Sequence, residues 1–267
     1  MLEAPVPLAL EGLDEPLRMY LHGSEDRHVS AVIREQGQWE PFETRLLLKA
    51  LGPGDRVLDV GANLGYFSLV AAARVGTSGR VYAFEPEPRN YELLVANVRL
   101  NRFEDRVTCC EAGLSDQAGQ AQLYLSDNNF GDHQLQPDAP GRPAVGVTLE
   151  QGSEWFAGRE SQLDFVKVDV QGAEHTVIKG LLPLLQASGD RLRVLLELTP
   201  LSLRSAGTSG AALIDTLATL GLPFHIVDHI EHRLVATDAA ALSTWCNNVD
   251  AVPGDAGFMN ILLGPTV

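Results

Sequence analysis

The chain has 267 residues, 45% of them hydrophobic and 21% charged, which is enough apolar material for one large core and excludes wholesale disorder. Lys and Arg number 20 against 35 Asp and Glu, a formal net charge of −15, so no nucleic-acid or anionic-membrane partner is expected. No apolar run approaches a membrane span, Glu3, Glu11, Asp14 and Glu15 precede Arg18 where a secretory signal would be positive, and the three cysteines offer no disulfide framework; a cytoplasmic protein is the expectation.

In chain order, the residues up to about Arg34 read as irregular, interrupted by Pro5, Pro7 and Pro16. We divide the chain accordingly into an extension or lid at 1–36 and a main domain at 37–267. A helix follows Trp39-Glu40-Pro41, with Leu46, Leu47, Leu48 and Leu51 on its apolar face, and Gly52-Pro53-Gly54 stops it. Strand and helix signals then alternate. Residues 56–60, 80–84, 106–111, 163–168 and 192–198 read as apolar strands, and 64–75, 88–100, 173–185 and 211–220 as helices. Residues 120–125 alternate as an added strand, and 224–227 and 258–263 close the series. Repeated strand–helix units of this kind predict an α/β protein with a largely parallel sheet covered on both faces. Ligands of such sheets lie beyond the carboxyl ends of the strands. The polar stretch from Ser126 to Arg142 is long for a connection within a compact domain and is read as functional.

The strongest local signal is Val57-Leu58-Asp59-Val60-Gly61-Ala62-Asn63-Leu64-Gly65-Tyr66-Phe67, a strand ending in an acid, then a glycine turn, then a helix. Glycines there let backbone approach a ligand, and a helix start presents free N–H groups. A dinucleotide site would want glycine at the third position of its G-x-G-x-x-G pattern, where Asn63 stands, and Asp59 would repel a pyrophosphate. A carboxylate suits a cationic amino-acid or sulfonium group instead, so the turn looks like a methyl-donor site. Glu85, ending the second strand before Pro86, is placed to accept from both hydroxyls of a ribose. Ala112-Gly113-Leu114-Ser115-Asp116 follows the third strand and is placed to border an adenine.

Together with Val166-Lys167-Val168-Asp169-Val170-Gln171-Gly172-Ala173-Glu174, these motifs resemble the FkbM-type methyltransferases, S-adenosylmethionine-dependent enzymes that mostly methylate oxygen. The resemblance runs from about Trp39 to Leu198 and implies a Rossmann-like, seven-stranded, mostly parallel sheet with helices on both faces and a reversed last strand. It implies donor contacts at Asp59, Gly61, Asn63, Gly65, Glu85 and Ser115. The same motifs carry Ala62, Phe67, Pro86, Gly113, Leu114 and Asp169 into the cofactor-binding set. S-adenosylmethionine is the expected cofactor and S-adenosylhomocysteine its product.

For the acceptor, expected to be a hydroxylated small molecule such as a sugar or polyketide, the polar loop supplies His133 as candidate base and Asn129 and Asp132 as orienting groups. Asp169, at a strand end beside the expected methyl group, is the second catalytic candidate. Gln171, His175 and Glu197 complete the substrate-binding set, with His175 a second candidate base. Lys167 reads as a structural residue on the opposite side, and Trp39 and Glu40 as residues that could close over the donor. Asp169, Glu197 and His133 could converge on Mg²⁺, but no compact ligand motif is present and a metal is not expected. His22, His28, His225, His229 and His232 are scattered and not expected to be ligands. The N-methyl signature Asn/Asp-Pro-Pro-aromatic is absent after the fourth strand, which favours transfer to oxygen. A homodimer is compatible with the apolar amino terminus. The rival readings are a nicotinamide-dependent oxidoreductase and a non-catalytic binding protein of the same fold.

Overall fold

The structure, a computed structural model, describes residues 3–13, 15–136 and 141–266. Its elements, in order, are strands β1 (Val6–Pro7) and β2 (Arg18–Met19), helices α1 (Val29–Gln36) and α2 (Pro41–Ala50), β3 (Arg56–Val60), α3 (Tyr66–Val75), β4 (Arg80–Phe84), α4 (Pro88–Leu100), β5 (Val107–Cys110), β6 (Gly113–Ser115), β7 (Gly119–Tyr124) and β8 (Ala144–Gln151). They continue with α5 (Gly152–Phe156), β9 (Phe165–Val168), α6 (Glu174–Ser188), β10 (Arg193–Leu198), α7 (Pro200–Ser205), α8 (Gly210–Ala218), β11 (Phe224–Asp228), β12 (Arg233–Thr237), α9 (Ala239–Asp250) and β13 (Met259–Leu263).

The main sheet has the order β12-β11-β13-β10-β9-β3-β4-β5. Strands β5, β4, β3, β9 and β10 are parallel, and β13 inserts antiparallel between β10 and β11. These and β11 are the seven expected strands, the last one reversed. An eighth, β12, pairs antiparallel with β11 at the edge. A separate three-stranded sheet, β6-β8-β7, is inserted between parallel strands β5 and β9. The apolar strand runs are explained by burial on both faces. Val57, Ala83, Phe165, Leu195 and Leu262 pack under α2, α3 and α4, while Leu58, Val60, Val166, Val168 and Leu196 pack under α6 and α8.

The segment before Arg34, expected to be irregular, holds β1, β2 and α1. Leu8, Leu17, Met19, Leu21, Val29 and Ile33 are buried in the same core as α3 and α4. Its anchor is a polar row on α4. Asn97 accepts from the Tyr20 amide at 2.6 Å and donates to the carbonyls of Tyr20 and Leu64, and Asn101 makes the equivalent pair with Arg18. These side chains imitate a neighbouring strand, a signal that apolar periodicity does not carry. Of the long polar loop, residues 137–140 lie outside the described residues.

The period-two alternation sets up the site. Asp59 on β3 lies opposite Lys167 on β9, and Glu197 on β10 opposite Asn260 on β13, all on the sheet face covered by α2. Polar residues therefore gather at the carboxyl ends of β3, β9 and β10 and the amino end of the antiparallel β13, under the first turn of α2.

Candidate active site

A cavity of about 600 Å³ opens at those strand ends, between the main sheet, the α2 start, the amino-terminal segment and the loop after β7. The turn after β3 forms its floor. Gly61 has φ +80°, and a Cβ there would overlap the Asp169 carbonyl oxygen, so glycine is required for β3 and β9 to end this close together. The turn amides are committed to the neighbouring strand: Gly61 and Ala62 donate to the Phe84 carbonyl at 3.0 and 2.9 Å, and Asn63 donates to Glu85 Oε2 at 2.7 Å. The expected row of free amides is thus largely spent on locking the turn to β4.

Asp59 is buried and receives the Ser68 hydroxyl on Oδ2 at 2.6 Å, while Oδ1 has no partner. Asn63 Oδ1 is likewise buried and unpartnered. Two orphaned acceptors lining one cavity call for a ligand donor, and an ammonium group supplies three. Glu85 accepts from Asn63 N and Glu87 N, one on each carboxylate oxygen, which leaves a lone pair on each for ribose hydroxyls. Burial pushes its carboxyl up to about 7, against the opposing pull of the two amides. Pro86, Gly113, Leu114, Leu123 and Leu149 add an apolar wall suited to a flat ring. These residues fit S-adenosylmethionine.

Lys167 does not face away as expected. Its ammonium donates to Asp169 Oδ2 at 2.8 Å and lies 4.6 Å from the centre of the Phe67 ring, on the cavity side. Carboxylates of Asp169, Glu40 and Asp59 hold its charge on, against the cost of burial. Asp169 and Glu197 do converge, but on the Gln171 amide, whose Nε2 donates to Asp169 Oδ1 at 3.0 Å and Glu197 Oε2 at 2.9 Å. Gln171 reaches this position from a left-handed backbone, φ +51°, stabilised where Glu174 turns back to accept from the Gly172 amide. Burial and the Asp169 charge raise Glu197 to about 7, and burial raises Glu40 to about 8 with Lys167 opposing.

Of the sequence candidates, Asp59, Gly61, Ala62, Asn63, Phe67, Glu85, Pro86, Gly113, Leu114, Asn129, Asp132, His133, Asp169, Gln171 and Glu197 line the cavity. Three do not. Gly65 caps α3 with φ +92° and packs on Leu94 of α4. The Ser115 backbone packs on Gly180 of α6, and its hydroxyl faces Asp116. His175 points to α8, with its ring nitrogens 2.5 Å from Thr208 and 3.0 Å from Thr216 hydroxyls.

A further correction concerns His133 as base. Its Nδ1 accepts the Ser126 amide at 3.0 Å, so the neutral ring carries its proton on Nε2 and can only donate from there. Burial also lowers its affinity for a second proton. The structure instead adds Asn90, Phe130, His28, Val29, His229, Phe258 and Asn260 to the lining. Only tertiary structure brings these together, since they come from five separate segments.

The reversed-strand sheet and a nucleoside-sized cavity at its switch point define a Rossmann-like methyltransferase fold. The chain belongs to the FkbM methyltransferase family: the Methyltransferase FkbM domain matches residues 59–221, more than half of its length. It is 30% identical over 154 residues to methyltransferase sdnD of Sordaria araneosa, covering 46% of this chain and 59% of that protein. It is 35% identical over 132 residues to 31-O-demethyl-FK506 methyltransferase FkbM of Streptomyces tacrolimicus, covering 48% and 49%. It is 30% identical over 145 residues to hexuronic acid methyltransferase AglP of Haloferax volcanii, covering 54% and 56%. The matched segments therefore span about half the length of these relatives. Among solved structures, methyltransferase FkbM from Methylobacillus flagellatus aligns with TM-score 0.47 and 11% identity, over 79% of this chain and 43% of the other.

Proposed function

We propose that the protein transfers a methyl group from S-adenosylmethionine to a hydroxyl of a small metabolite. The observation that carries this reading is the pair of buried, unpartnered acceptors, Asp59 Oδ1 and Asn63 Oδ1, at the carboxyl end of β3 in a chain of this family. The donor supplies an electrophilic methyl carbon on a sulfonium. Asp59 and Asn63 would hold its amino-acid end, Glu85 its ribose, and the wall of Pro86, Gly113, Leu114 and Leu149 its base. Asp169, held by Lys167 and Gln171, would border the methyl group. The names of two relatives specify 31-O-demethyl-FK506 and hexuronic acid, which supports a metabolite as acceptor.

Residues 1–36 would act with the loop after β7 as a lid that excludes water. The Arg27 amide donates to the Asn128 carbonyl at 2.9 Å, and Asp26 accepts from the amides of Ser30 and Phe130. His22 Nε2 donates to Asn90 Oδ1 at 2.7 Å, and the ring meets that of Phe130 edge-on. Both lid pieces thus close on the α4 start.

Calorimetric titration with S-adenosylmethionine, S-adenosylhomocysteine and NAD tests the reading. Micromolar binding of the first two without NAD is the expected result. Binding of NAD alone would move the protein to the oxidoreductases, and silence from all three would make it a non-catalytic relative.

A further inference from the structure

The acceptor end of the cavity holds a histidine that the motifs do not reveal. His229 sits in the turn after β11, and its Nε2 lies 3.0 Å from Glu43 Oε1 on α2. Glu43 is 1% exposed. The same oxygen accepts from Asn260 Nδ2 at 2.7 Å, so α2, β11 and β13 meet at one buried carboxylate. A buried acid is retained at a cost and is stabilised here by these two donors. The contact fixes the proton of the neutral imidazole on Nε2 and leaves the Nδ1 lone pair free on a ring that lines the cavity beside Phe258 and Asn260. Asn260 is 91% removed from solvent by its 9% exposure, and its Oδ1 has no partner, as expected of a group awaiting a ligand donor.

Three sequence candidates at this end are already engaged. Asp169 accepts from Lys167 and Gln171, Glu197 from Gln171, and His133 has its Nδ1 on a backbone amide. We propose that His229, oriented by Glu43, is the general base of the reaction. This rests on the methyltransferase reading above. As the acceptor oxygen bonds to the donor methyl carbon, the carbon–sulfur bond breaks and its electron pair stays on sulfur. The hydroxyl proton passes to His229 Nδ1, and the resulting imidazolium is stabilised by the Glu43 carboxylate until it loses a proton to water. His229 is the catalytic residue and Glu43 a positioning residue.

The test uses methyl-tritiated S-adenosylmethionine with methyl β-D-glucopyranoside and water as acceptor probes, counting label in methylated sugar and in methanol. His229→Gly is expected to lower transfer by about 10²-fold or more, with donor affinity unchanged by calorimetry and transfer restored by added imidazole. A glycine variant at wild-type rate, or one that imidazole does not rescue, overturns the proposal. Nitrogen NMR of histidine-labelled protein decides the matter where label transfer is too slow to count. Neutral His229 protonated on Nε2, shifting toward the Nδ1-protonated tautomer in Glu43→Gln, is the expected result. His229 protonated on Nδ1 in the wild type overturns it. Failure of the parent reading would look different, as loss of donor binding by the unmodified protein.

Discussion

Glu85 illustrates how much one side chain does in this site. Its carboxylate fastens the amide of Asn63 on one side and that of Glu87 on the other, and Glu87 in turn caps α4 through the Asn90 amide. Glu85→Ala is expected to weaken S-adenosylhomocysteine binding by roughly 1.5–3 kcal/mol, the range for charged hydrogen bonds. Calorimetry would read this directly, and unchanged affinity would remove Glu85 from the donor site. Gln171 supports a second expectation. Its amide and the Lys167 ammonium fill the positions at Asp169 and Glu197 that a divalent cation would take. Turnover is therefore expected to survive exhaustive chelation, and loss of activity restored by Mg²⁺ would show that Gln171 moves aside. At this scale the strand-end acids were legible, because a carboxylate after a buried apolar run calls for a purpose. The histidines were not. The tautomer of His133 depends on the Ser126 amide seven residues away, and His229 acquires its meaning from Glu43, 186 positions earlier in the chain.

Among the elements, the parallel strands and their helices follow from continuous apolar runs and glycine stops, and their observed ends fall close to the expected ones. The amino-terminal segment does not, because its order is imposed by α4. Asn97 is fully buried and makes three bonds, to Tyr20 N, Tyr20 O and Leu64 O. Asn97→Ala would leave buried backbone groups without partners, at a cost of roughly 2–4 kcal/mol. Denaturant melts would measure that loss. Hydrogen exchange is expected to speed up selectively at residues 18–36, since α4 keeps its own helical bonds. Uniform acceleration throughout the domain would show instead that the segment is part of the global folding unit. β8 and β12 follow a similar logic. Each is only partly buried, and its place is set by pairing with β7 or β11 rather than by an apolar run of its own.

For the whole molecule, the dominant feature is excess negative charge, net −15, gathered in part around the cavity. Glu85, Glu174 and Glu197 are raised from 4.5 to about 7 and Glu40 to about 8, chiefly by burial. In the unfolded chain these groups lose their protons near 4.5, while the folded protein retains them to higher pH. Between those limits the folded state binds more protons, so stability falls as pH rises. Their contribution is fully present below about 4.5 and is lost through 7 to 8. Thermal melts are expected to show a higher midpoint at mildly acid than at mildly alkaline pH, with the dependence flattened in Glu85→Gln. Ligand charge acts on the same equilibrium. A sulfonium placed near Glu40 and Glu197 favours their ionised forms, whereas the neutral thioether of the product does not. Near pH 7, binding of S-adenosylmethionine is therefore expected to release more protons than binding of S-adenosylhomocysteine. Calorimetry in buffers of different ionisation enthalpy counts them. Equal release for the two ligands would place the sulfonium away from the acid cluster and require the methyl group to lie elsewhere in the cavity.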